Sequence, residues 1–388
     1  MVYLGILDRN QFYFLLCFLF QIHQLMLEDY SRTKTYQDVI LGNKSYFQDK
    51  VVMDVGCGTG ILSIFCAQAG AKKVYAIEAS TIANVAKKVI KENNFENIIE
   101  VIQSKVEDVE LSDHIKVDAI VSEWMGFYLL HEGMLDSVLY ARKKFLKDDG
   151  QMFPESATVY VAPCSVPSLY EKWNDIYGVS MSTFAKQLRE SKHNKPEVLT
   201  VKPEDIIGHK EAVCWISLKE TEISELDSFS IKHVVGSTRA GAMYQGLCLW
   251  FECKFPEFGN DRCDVILDTS PESQPTHWKQ TVVVLPHEQK VDLGEPIAFT
   301  LDINRDPTNK RRYNIEVTME DPEEIEHPLP CTCDMTKCIL IKSFMNKHDT
   351  ISTNDDVSMT RMNIDKVIDR ENNINILQED DIIDDDDC

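Results

Sequence analysis

The chain has 388 residues, 44% of them hydrophobic, and a formal net charge of −23. This length allows two or three domains with a sizeable core. The acidic balance argues against direct nucleic-acid binding and favours a basic partner. The charge is uneven, because residues 348–388 carry thirteen acidic and three basic side chains, a net of −10 that leaves −13 for the remainder.

Residues 12–20 form an apolar run near the start of the sequence. The run is shorter than the roughly 20 residues that cross a bilayer. It also lacks the basic segment and small-residue cleavage site of a signal peptide. We therefore expect a packed amphipathic helix and no membrane partner. The alternatives are a membrane-associated segment and an error in the predicted start of the chain.

Residues 49–154 alternate short apolar runs with helical patterns, which predicts an α/β domain with a parallel sheet covered on both faces. The predicted strands are 51–55, 74–77, 98–102 and 117–121, and the predicted helices are 60–69, 81–93 and 132–146. Residues 1–48 form a separate helical segment in this division of the chain.

Residues 155–346 change character after Pro154 and become rich in β-forming runs between Gly, Pro and Asp turns. This pattern indicates an antiparallel sandwich or barrel. The predicted strands are 158–161, 212–216, 247–255, 280–285, 298–303 and 313–319.

A polar, helical stretch at about 166–200 interrupts these strands and carries Tyr170, Trp173 and Tyr177. Exposed aromatic side chains on a projecting arm indicate a partner surface. The alternative is that they pack back on the β domain.

Residues 347–388 are acidic, poor in aromatic side chains and predicted to be disordered. The tail could attract Arg-rich proteins, compete with them for an acidic cleft, or only aid solubility, which is the default interpretation.

The twelve cysteines are mostly scattered singly through apolar segments, which suits buried thiols in a reducing compartment. Cys331, Cys333 and Cys338 are clustered with C-x-C-x4-C spacing. No matching second pair of ligands follows nearby, so we do not expect a metal site.

A glycine-rich turn with Gly56, Gly58 and Gly60 follows the first strand and opens a helix. Such a turn lets a ligand approach the backbone closely. Glu78 ends the second strand, where an acid can bind two ribose hydroxyls. The pattern favours a nucleoside cofactor, the alternative being a plain tight turn. The absence of a Walker lysine pattern argues against ATP.

Glu123 and Glu132 lie nine residues apart after the strand at 117–121, and Gly126 allows the chain to turn back between them. Two carboxylates in one cleft repel each other and need a cation, for which a planar guanidinium is well suited. The alternative is one acid at a strand end and one at a helix start with no shared role.

In combination, these motifs resemble those of type I protein arginine N-methyltransferases, most closely the arginine methyltransferase six group. The resemblance extends from about Tyr13 to Met319. It rests on the glycine turn, the two-glutamate segment and short motifs elsewhere in the chain, which are Ile22-His23, Met26, Asp29, Arg32-Thr33, Val74–Ser80, Leu129–Glu132, Ser270–Ser273 and Thr276–Trp278.

The resemblance implies S-adenosylmethionine as the cofactor, held in a Rossmann-like seven-stranded domain beneath the N-terminal helical segment. Arg32 would pair with its carboxylate and Glu78 would hold its ribose. Val106 and Glu107 would contact the adenine, and Met134 would lie near the sulfonium. The other implied cofactor-binding residues are Tyr13, Phe14, His23, Gly56, Gly58 and Gly60.

The resemblance also implies how catalysis occurs. Glu123 and Glu132 would grip the substrate guanidinium, and His277, oriented by Asp29, would accept or relay the released proton. Met26 and Trp278 would line the acceptor site. Taken singly, each of these residues would more often be structural.

Further implications are a β-barrel domain, a homodimer in which the arm docks on a second subunit, and asymmetric dimethylarginine as product. Histones and Arg/Gly-rich RNA-binding proteins are plausible substrates, with the nucleus, the cytoplasm or both as compartment. Lys310-Arg311-Arg312 is a short basic cluster, but no clear nuclear-import run is present.

Two other functions stay open. One is a methyltransferase for a small molecule or nucleic acid, although the paired glutamates and net charge argue against nucleic acid. The other is a catalytically weak scaffold for Arg-rich partners. Its support is Cys17, which stands where the family has a second tyrosine after Tyr13 and Phe14.

Overall fold

The computed structural model describes residues 20–112, 115–192, 195–258 and 265–351. The chain divides into two compact units, residues 1–338 and 339–388. The described start of the chain is helical from 20 to 28 (α1). Tyr13, Phe14 and Cys17 lie outside the described residues. No helix in the described part of the chain is long and apolar enough to cross a membrane.

Five parallel strands build the sheet of the first domain, in the order β3-β2-β1-β4-β5. The strands are β1 (Val51–Val55), β2 (Lys73–Glu78), β3 (Ile99–Gln103), β4 (Val117–Val121) and β5 (Leu146–Phe153). The three central strands β2, β1 and β4 carry fully buried Val, Ala and Ile side chains, as expected for strands covered on both faces, whereas the edge strands β3 and β5 are partly exposed. The accompanying helices are α2 (Tyr30–Gly42), α3 (Lys44–Phe47), α4 (Ile61–Gln68), α5 (Ala83–Glu92) and α6 (Leu135–Phe145).

This sheet has five strands in the described residues, whereas the resemblance implied seven. The chain passes from β5 through Pro154 into β6 (Ser156–Cys164). Pro154 has no N–H to continue the ladder. Strand β6 then pairs antiparallel with β8 and β10 and belongs to the second domain. The carboxyl ends of β1, β2 and β4 share one edge of the parallel sheet, where ligands bind in such folds.

The second domain contains two antiparallel sheets. One has the order β7-β12-β10-β6-β8 with β11 beside β10, and the other has the order β14-β13-β9. The strands after β6 are β7 (Pro196–Leu199), β8 (Glu211–Ser217), β9 (Ser228–Gly236), β10 (Ala242–Lys254), β11 (Ile266–Asp268), β12 (Gln280–Val291), β13 (Pro296–Arg305) and β14 (Tyr313–Met319). Within the described residues the two ladders do not join into one closed barrel.

The six predicted strand runs fall on β6, β8, β10, β12, β13 and β14. Strands β7, β9 and β11 of this domain, and β5 of the first domain, were not predicted from the sequence. Strand β9 shows the reason most clearly. Its first half alternates polar and apolar side chains, with exposed Ser and Lys beside half-buried Phe and Ile. That alternation is typical of a half-buried strand, but its low apolar content concealed it.

The arm predicted at 166–200 is only partly helical. It contains two short 3₁₀ turns, helix α7 (Ser182–Lys192) and strand β7, which pairs with β12. Tyr170 is buried and its hydroxyl donates to the Leu285 carbonyl at 2.5 Å. Trp173 packs on Phe184, whereas Tyr177 is fully exposed. The arm's aromatic side chains thus include one that packs back and one that faces solvent.

The last described element is α8 (Thr336–Ile351). Its backbone stays helical past residue 347, where we predicted the disordered tail to begin. Residues 352–388 lie outside the described part of the chain.

Candidate active site

The glycine-rich turn after β1 is the tight turn that the sequence predicted, and its three glycines have left-handed backbone. Gly56, Gly58 and Gly60 have φ angles of +77°, +52° and +89°. A Cβ atom at Gly56 would lie 2.2 Å from the Met134 side chain, and one at Gly58 would lie 3.1 Å from the His23 ring. The turn therefore needs glycine for both conformation and space. It also brings Met134 and His23 to the same place.

The Glu78 carboxylate lies at the end of β2, directly beside this turn. It accepts hydrogen bonds from the backbone N–H groups of Gly58 at 3.0 Å and Ser80 at 2.8 Å. The acid and the turn therefore form one continuous polar edge. Nearby, Val106 is buried, and the Glu107 carboxylate accepts a bond from the Ser137 hydroxyl at 2.6 Å.

Arg32 and Glu123 form a buried ion pair. The Arg32 Nε atom lies 2.8 Å from Glu123 Oε2, and the two side chains are 7% and 6% exposed. Arg32 Nη1 also donates to the Met26 carbonyl at 3.0 Å. A carboxylate this deep needs a cation, and Arg32 supplies it. A cofactor carboxylate at Arg32 would therefore share its guanidinium with Glu123.

The segment between the two glutamates folds back on itself. Gly126 and Leu129 exchange two backbone hydrogen bonds of 3.0 Å, and the His131 N–H donates to the Phe127 carbonyl. A Cβ atom at Gly126 would lie 1.8 Å from the His131 carbonyl oxygen, so the turn requires glycine. Glu123 and Glu132 thus stand at the two ends of one hairpin.

Glu132 is exposed, and its backbone is in the left-handed region with a φ of +81°. The loop between β13 and β14 holds it there. The Glu132 N–H donates to the Arg311 carbonyl at 2.8 Å, and Arg311 Nε donates back to the Glu132 carbonyl at 2.7 Å. Strain retained in this way is typical of functional loops. Arg311 belongs to the basic cluster noted in the sequence.

Asp29 and His277 meet although they lie far apart in the chain. His277 Nδ1 is 2.6 Å from Asp29 Oδ2, and the His277 backbone N–H donates to the same oxygen at 2.8 Å. Burial alone would raise the pKa of Asp29. Hydrogen bonds from the His277 ring and from the Arg32 and His277 backbones outweigh it and lower that pKa. Asp29 is therefore an anion that can orient the imidazole.

Two aromatic side chains hold the hairpin in place, and one of them, Trp278, was predicted from the sequence as a site residue. Trp278 is buried and its Nε1–H donates to the Met125 carbonyl at 2.9 Å. Tyr36 is also buried and its hydroxyl donates to the Ser122 carbonyl at 2.8 Å. Tyr36 lies one helical turn after Arg32 on α2, which is the signal that could have identified it.

Asp54 lies on β1, just before the glycine turn, and was not among the residues predicted to form the site. It is fully buried and its Oδ2 accepts a bond from the Ser63 hydroxyl at 2.6 Å. Its Oδ1 has no hydrogen-bond partner among the described residues. Burial raises the pKa of Asp54 to about 7.

We predict that Asp54→Asn stabilises the protein in a pH-dependent way. The folded pKa of Asp54 lies above its unfolded value, so wild-type stability falls as the pH rises from about 4 to about 7. The neutral amide avoids this loss. The gain should be of order 2–4 kcal/mol at about pH 8.5 and smaller at about pH 6. Urea denaturation at both pH values measures it.

The exposed Asp148→Asn is the control for this prediction and should show no such pH dependence. Equal stability of wild type and Asp54→Asn at both pH values would mean that Asp54 is neutral or well solvated throughout.

A cavity with a volume of ≈ 730 Å³ lies between α1, α4 and α5. Its walls are mainly apolar and include Phe20, Leu27 and Phe65, with His23 at one side. Glu123 and Glu132 are not among its lining residues. This cavity is therefore separate from the glutamate hairpin.

Comparison with known proteins assigns the family. A family model for the arginine methyltransferase oligomerization subdomain matches residues 155–321, and one for ribosomal protein L11 methyltransferase matches residues 39–150. The chain is 37% identical over 322 residues to "Probable protein arginine N-methyltransferase 6.1" of Oryza sativa subsp. japonica, covering 76% of this chain and 82% of that protein. The chain belongs to the protein arginine N-methyltransferase family.

Other relatives of this arginine methyltransferase agree. "Probable protein arginine N-methyltransferase 6" of Arabidopsis thaliana is 37% identical over 331 residues, covering 76% of this chain and 75% of the relative. The solved "Trypanosoma brucei PRMT1 enzyme-prozyme heterotetrameric complex with AdoHcy" is 35% identical, with a TM-score of 0.68 over 79% of this chain and 96% of that one. The predicted family and enzyme class are confirmed.

Proposed function

We propose that this arginine methyltransferase is a type I enzyme that transfers methyl groups from S-adenosylmethionine to guanidino nitrogens of arginine in proteins. The products would be mono- and asymmetric dimethylarginine. The observation that carries the proposal is the glutamate hairpin, which follows β4 at the same sheet edge as the glycine turn and is anchored there by the buried Arg32–Glu123 pair.

The residues at this edge fit S-adenosylmethionine. The glycine turn leaves room for a ligand against the backbone, and the Glu78 carboxylate at the end of β2 can accept bonds from ribose hydroxyls. Arg32 can bind a carboxylate, and Met134 lies over Gly56. When bound, the cofactor supplies an electrophilic methyl group on a sulfonium. Two solved relatives, the Trypanosoma brucei PRMT1 enzyme-prozyme complex and "Crystal structure of PRMT6-SAH", contain AdoHcy and SAH respectively.

The two glutamates would bind the acceptor. A guanidinium is a weak nucleophile because its charge and lone pairs are delocalised. Glu123 and Glu132 would hold it by charge-assisted hydrogen bonds and concentrate positive character away from the attacking nitrogen. Their main contribution is alignment of that nitrogen with the methyl group. Trp278 and Tyr36 keep the hairpin in place by binding its carbonyl groups.

His277, oriented by Asp29, would accept the proton that the substrate guanidinium releases. The His277 Nδ1–H donates a hydrogen bond to the Asp29 carboxylate. This contact fixes the orientation of the ring and leaves Nε2 to accept a proton. The methylated guanidinium releases one proton per transfer. The buried, anionic Asp29 would stabilise the imidazolium that results.

Protein substrates follow from the family, and we propose Arg-rich proteins such as histones and Arg/Gly-rich RNA-binding proteins. The net charge of −23 supports basic partners, since opposite charges raise the rate of encounter. Such substrates would place the enzyme in the nucleus, the cytoplasm or both, which subcellular fractionation can test.

We further propose a homodimer built through the arm. Tyr177, Val179 and Phe184 expose 103%, 53% and 51% of their surface on it, and isolated chains seldom leave such side chains in solvent together. The family model over this domain is named for oligomerization. Sedimentation analysis should give a dimer, and a monomer at micromolar concentration would contradict the proposal.

Mass spectrometry tests the function. The purified chain is incubated with S-adenosylmethionine and either an Arg/Gly-rich peptide or histones, and asymmetric dimethylarginine is the expected product. Symmetric dimethylarginine would overturn the type I assignment. No methylation, with cofactor binding intact, would favour the scaffold hypothesis.

A further inference from the structure

A second group of chemically active side chains lies beyond the last strand, outside the candidate active site. Three buried cysteines, Cys331, Cys333 and Cys338, are clustered with His327. One ligand atom from each of the four lies within 4.8 Å of every other. The His327 Nδ1 atom is 3.1–3.4 Å from the three sulfurs, and the Cys331 and Cys333 sulfurs are 3.3 Å apart.

We propose that these four side chains bind a structural zinc ion. A tetrahedral zinc with sulfur ligands at ~2.3 Å and nitrogen at ~2.1 Å has ligand–ligand separations of about 3.5–3.8 Å. The four separations given above are slightly shorter than that range, so modest outward movements of the side chains would admit the ion. Three thiolates and one imidazole are a common structural zinc set.

The tautomer of the His327 ring follows from the contact that its second nitrogen makes. Nε2 lies 2.8 Å from the Pro322 carbonyl oxygen, which can only accept, so Nε2 carries the proton. Nδ1 then presents its lone pair to the three sulfurs. Such a carbonyl-bound histidine is the usual arrangement for a zinc ligand.

The segment that carries the cysteines packs closely against the end of β9. The Gly236 N–H at the end of β9 donates to the Thr332 hydroxyl at 2.9 Å, and a Cβ at Gly236 would lie 2.8 Å from the Cys333 Cα. The Asp334 N–H donates to the Gly294 carbonyl at 2.8 Å. All four ligands lie within residues 327–338, so zinc would hold this segment in the conformation that makes the contacts with Gly236 and Gly294.

The sequence predicted no metal site because no second cysteine pair follows the cluster. The fourth ligand is instead a histidine four residues before Cys331. The rival interpretation of the cluster is a disulfide between two of its cysteines, which would leave the third thiol and the oriented imidazole without a shared role.

Elemental analysis of the full-length protein tests the proposal. The protein is purified without chelators, supplied with zinc chloride and desalted, and we expect about one zinc per chain. Replacing zinc with Co²⁺ should give the visible absorption of a tetrahedral thiolate site and a sulfur-to-cobalt band in the near ultraviolet. These two readouts use the wild-type chain and do not depend on whether a variant folds.

Variants locate the site. Cys333→Ser and His327→Ala should each lose most of the bound zinc, while Cys214→Ser, which removes another buried cysteine on β8, should retain it. A wild-type zinc content no higher than that of Cys333→Ser would overturn the proposal. So would peptide mass spectrometry that finds a disulfide within the cluster in protein purified under reducing conditions.

Discussion

Glu132→Gln is expected to lower kcat by roughly 10²–10³-fold while leaving S-adenosylmethionine affinity near normal. The amide keeps the size of the side chain but loses the charge that would grip a guanidinium. The Glu132 side chain is exposed and its backbone is held by Arg311, so the fold should survive the change. Initial rates on an Arg/Gly-rich peptide and calorimetric titration with cofactor measure the two effects separately.

The matched control for this prediction is Glu316→Gln, which removes an exposed carboxylate on β14. It should retain wild-type kcat, because it lies in the second domain and outside the candidate site. Full activity of Glu132→Gln would disprove the two-glutamate mechanism. Loss of cofactor affinity in the same variant would instead assign Glu132 to the cofactor site.

Arg32→Met is expected to lower the free energy of unfolding by about 3–5 kcal/mol. The substitution leaves the Glu123 carboxylate buried without its cation, since the two side chains are only 7% and 6% exposed. Urea denaturation at neutral pH measures the loss. Activity should also disappear, because Arg32 is proposed to bind the cofactor carboxylate.

The double variant Arg32→Met/Glu123→Gln separates stability from chemistry. Removing both charges should recover much of the lost stability, because no uncompensated ion remains. Activity should stay absent, because both proposed ligand contacts are gone. A double variant as unstable as Arg32→Met would show that the packing of Arg32, including its bond to Met26, matters more than the ion pair.

The sequence was most informative where the determining interactions are local. Strands β1, β2 and β4 could be placed within one or two residues because short runs of Val and Ile between helical patterns predict buried parallel strands. The glycine turn could be predicted because left-handed backbone favours glycine over every other residue type. The hairpin at Gly126 depends on a different local constraint, because a Cβ atom there would collide with the His131 carbonyl group.

The sequence was less informative where pairing depends on distant segments. The family resemblance implied seven strands in the first domain, but the described sheet has five, and β6 belongs to the second domain through its long antiparallel pairing with β10. Strands β7, β9 and β11 are short or half polar, and their partners rather than their own composition define them. Whether such a segment forms a strand depends on the neighbouring strands that it pairs with.

The sequence by itself determined the alternating α/β domain, the β-rich second domain, the glycine turn and the two-glutamate segment. The tertiary structure alone decided which charges and ligands meet. Arg32 and Glu123 are 91 residues apart, and Asp29 and His277 are 248 residues apart. His327 joins the cysteine cluster only because its ring turns back over Cys331 and Cys333. The reason is physical, since backbone propensities act over a few residues, whereas electrostatic pairing and metal ligation depend on distances in the folded chain.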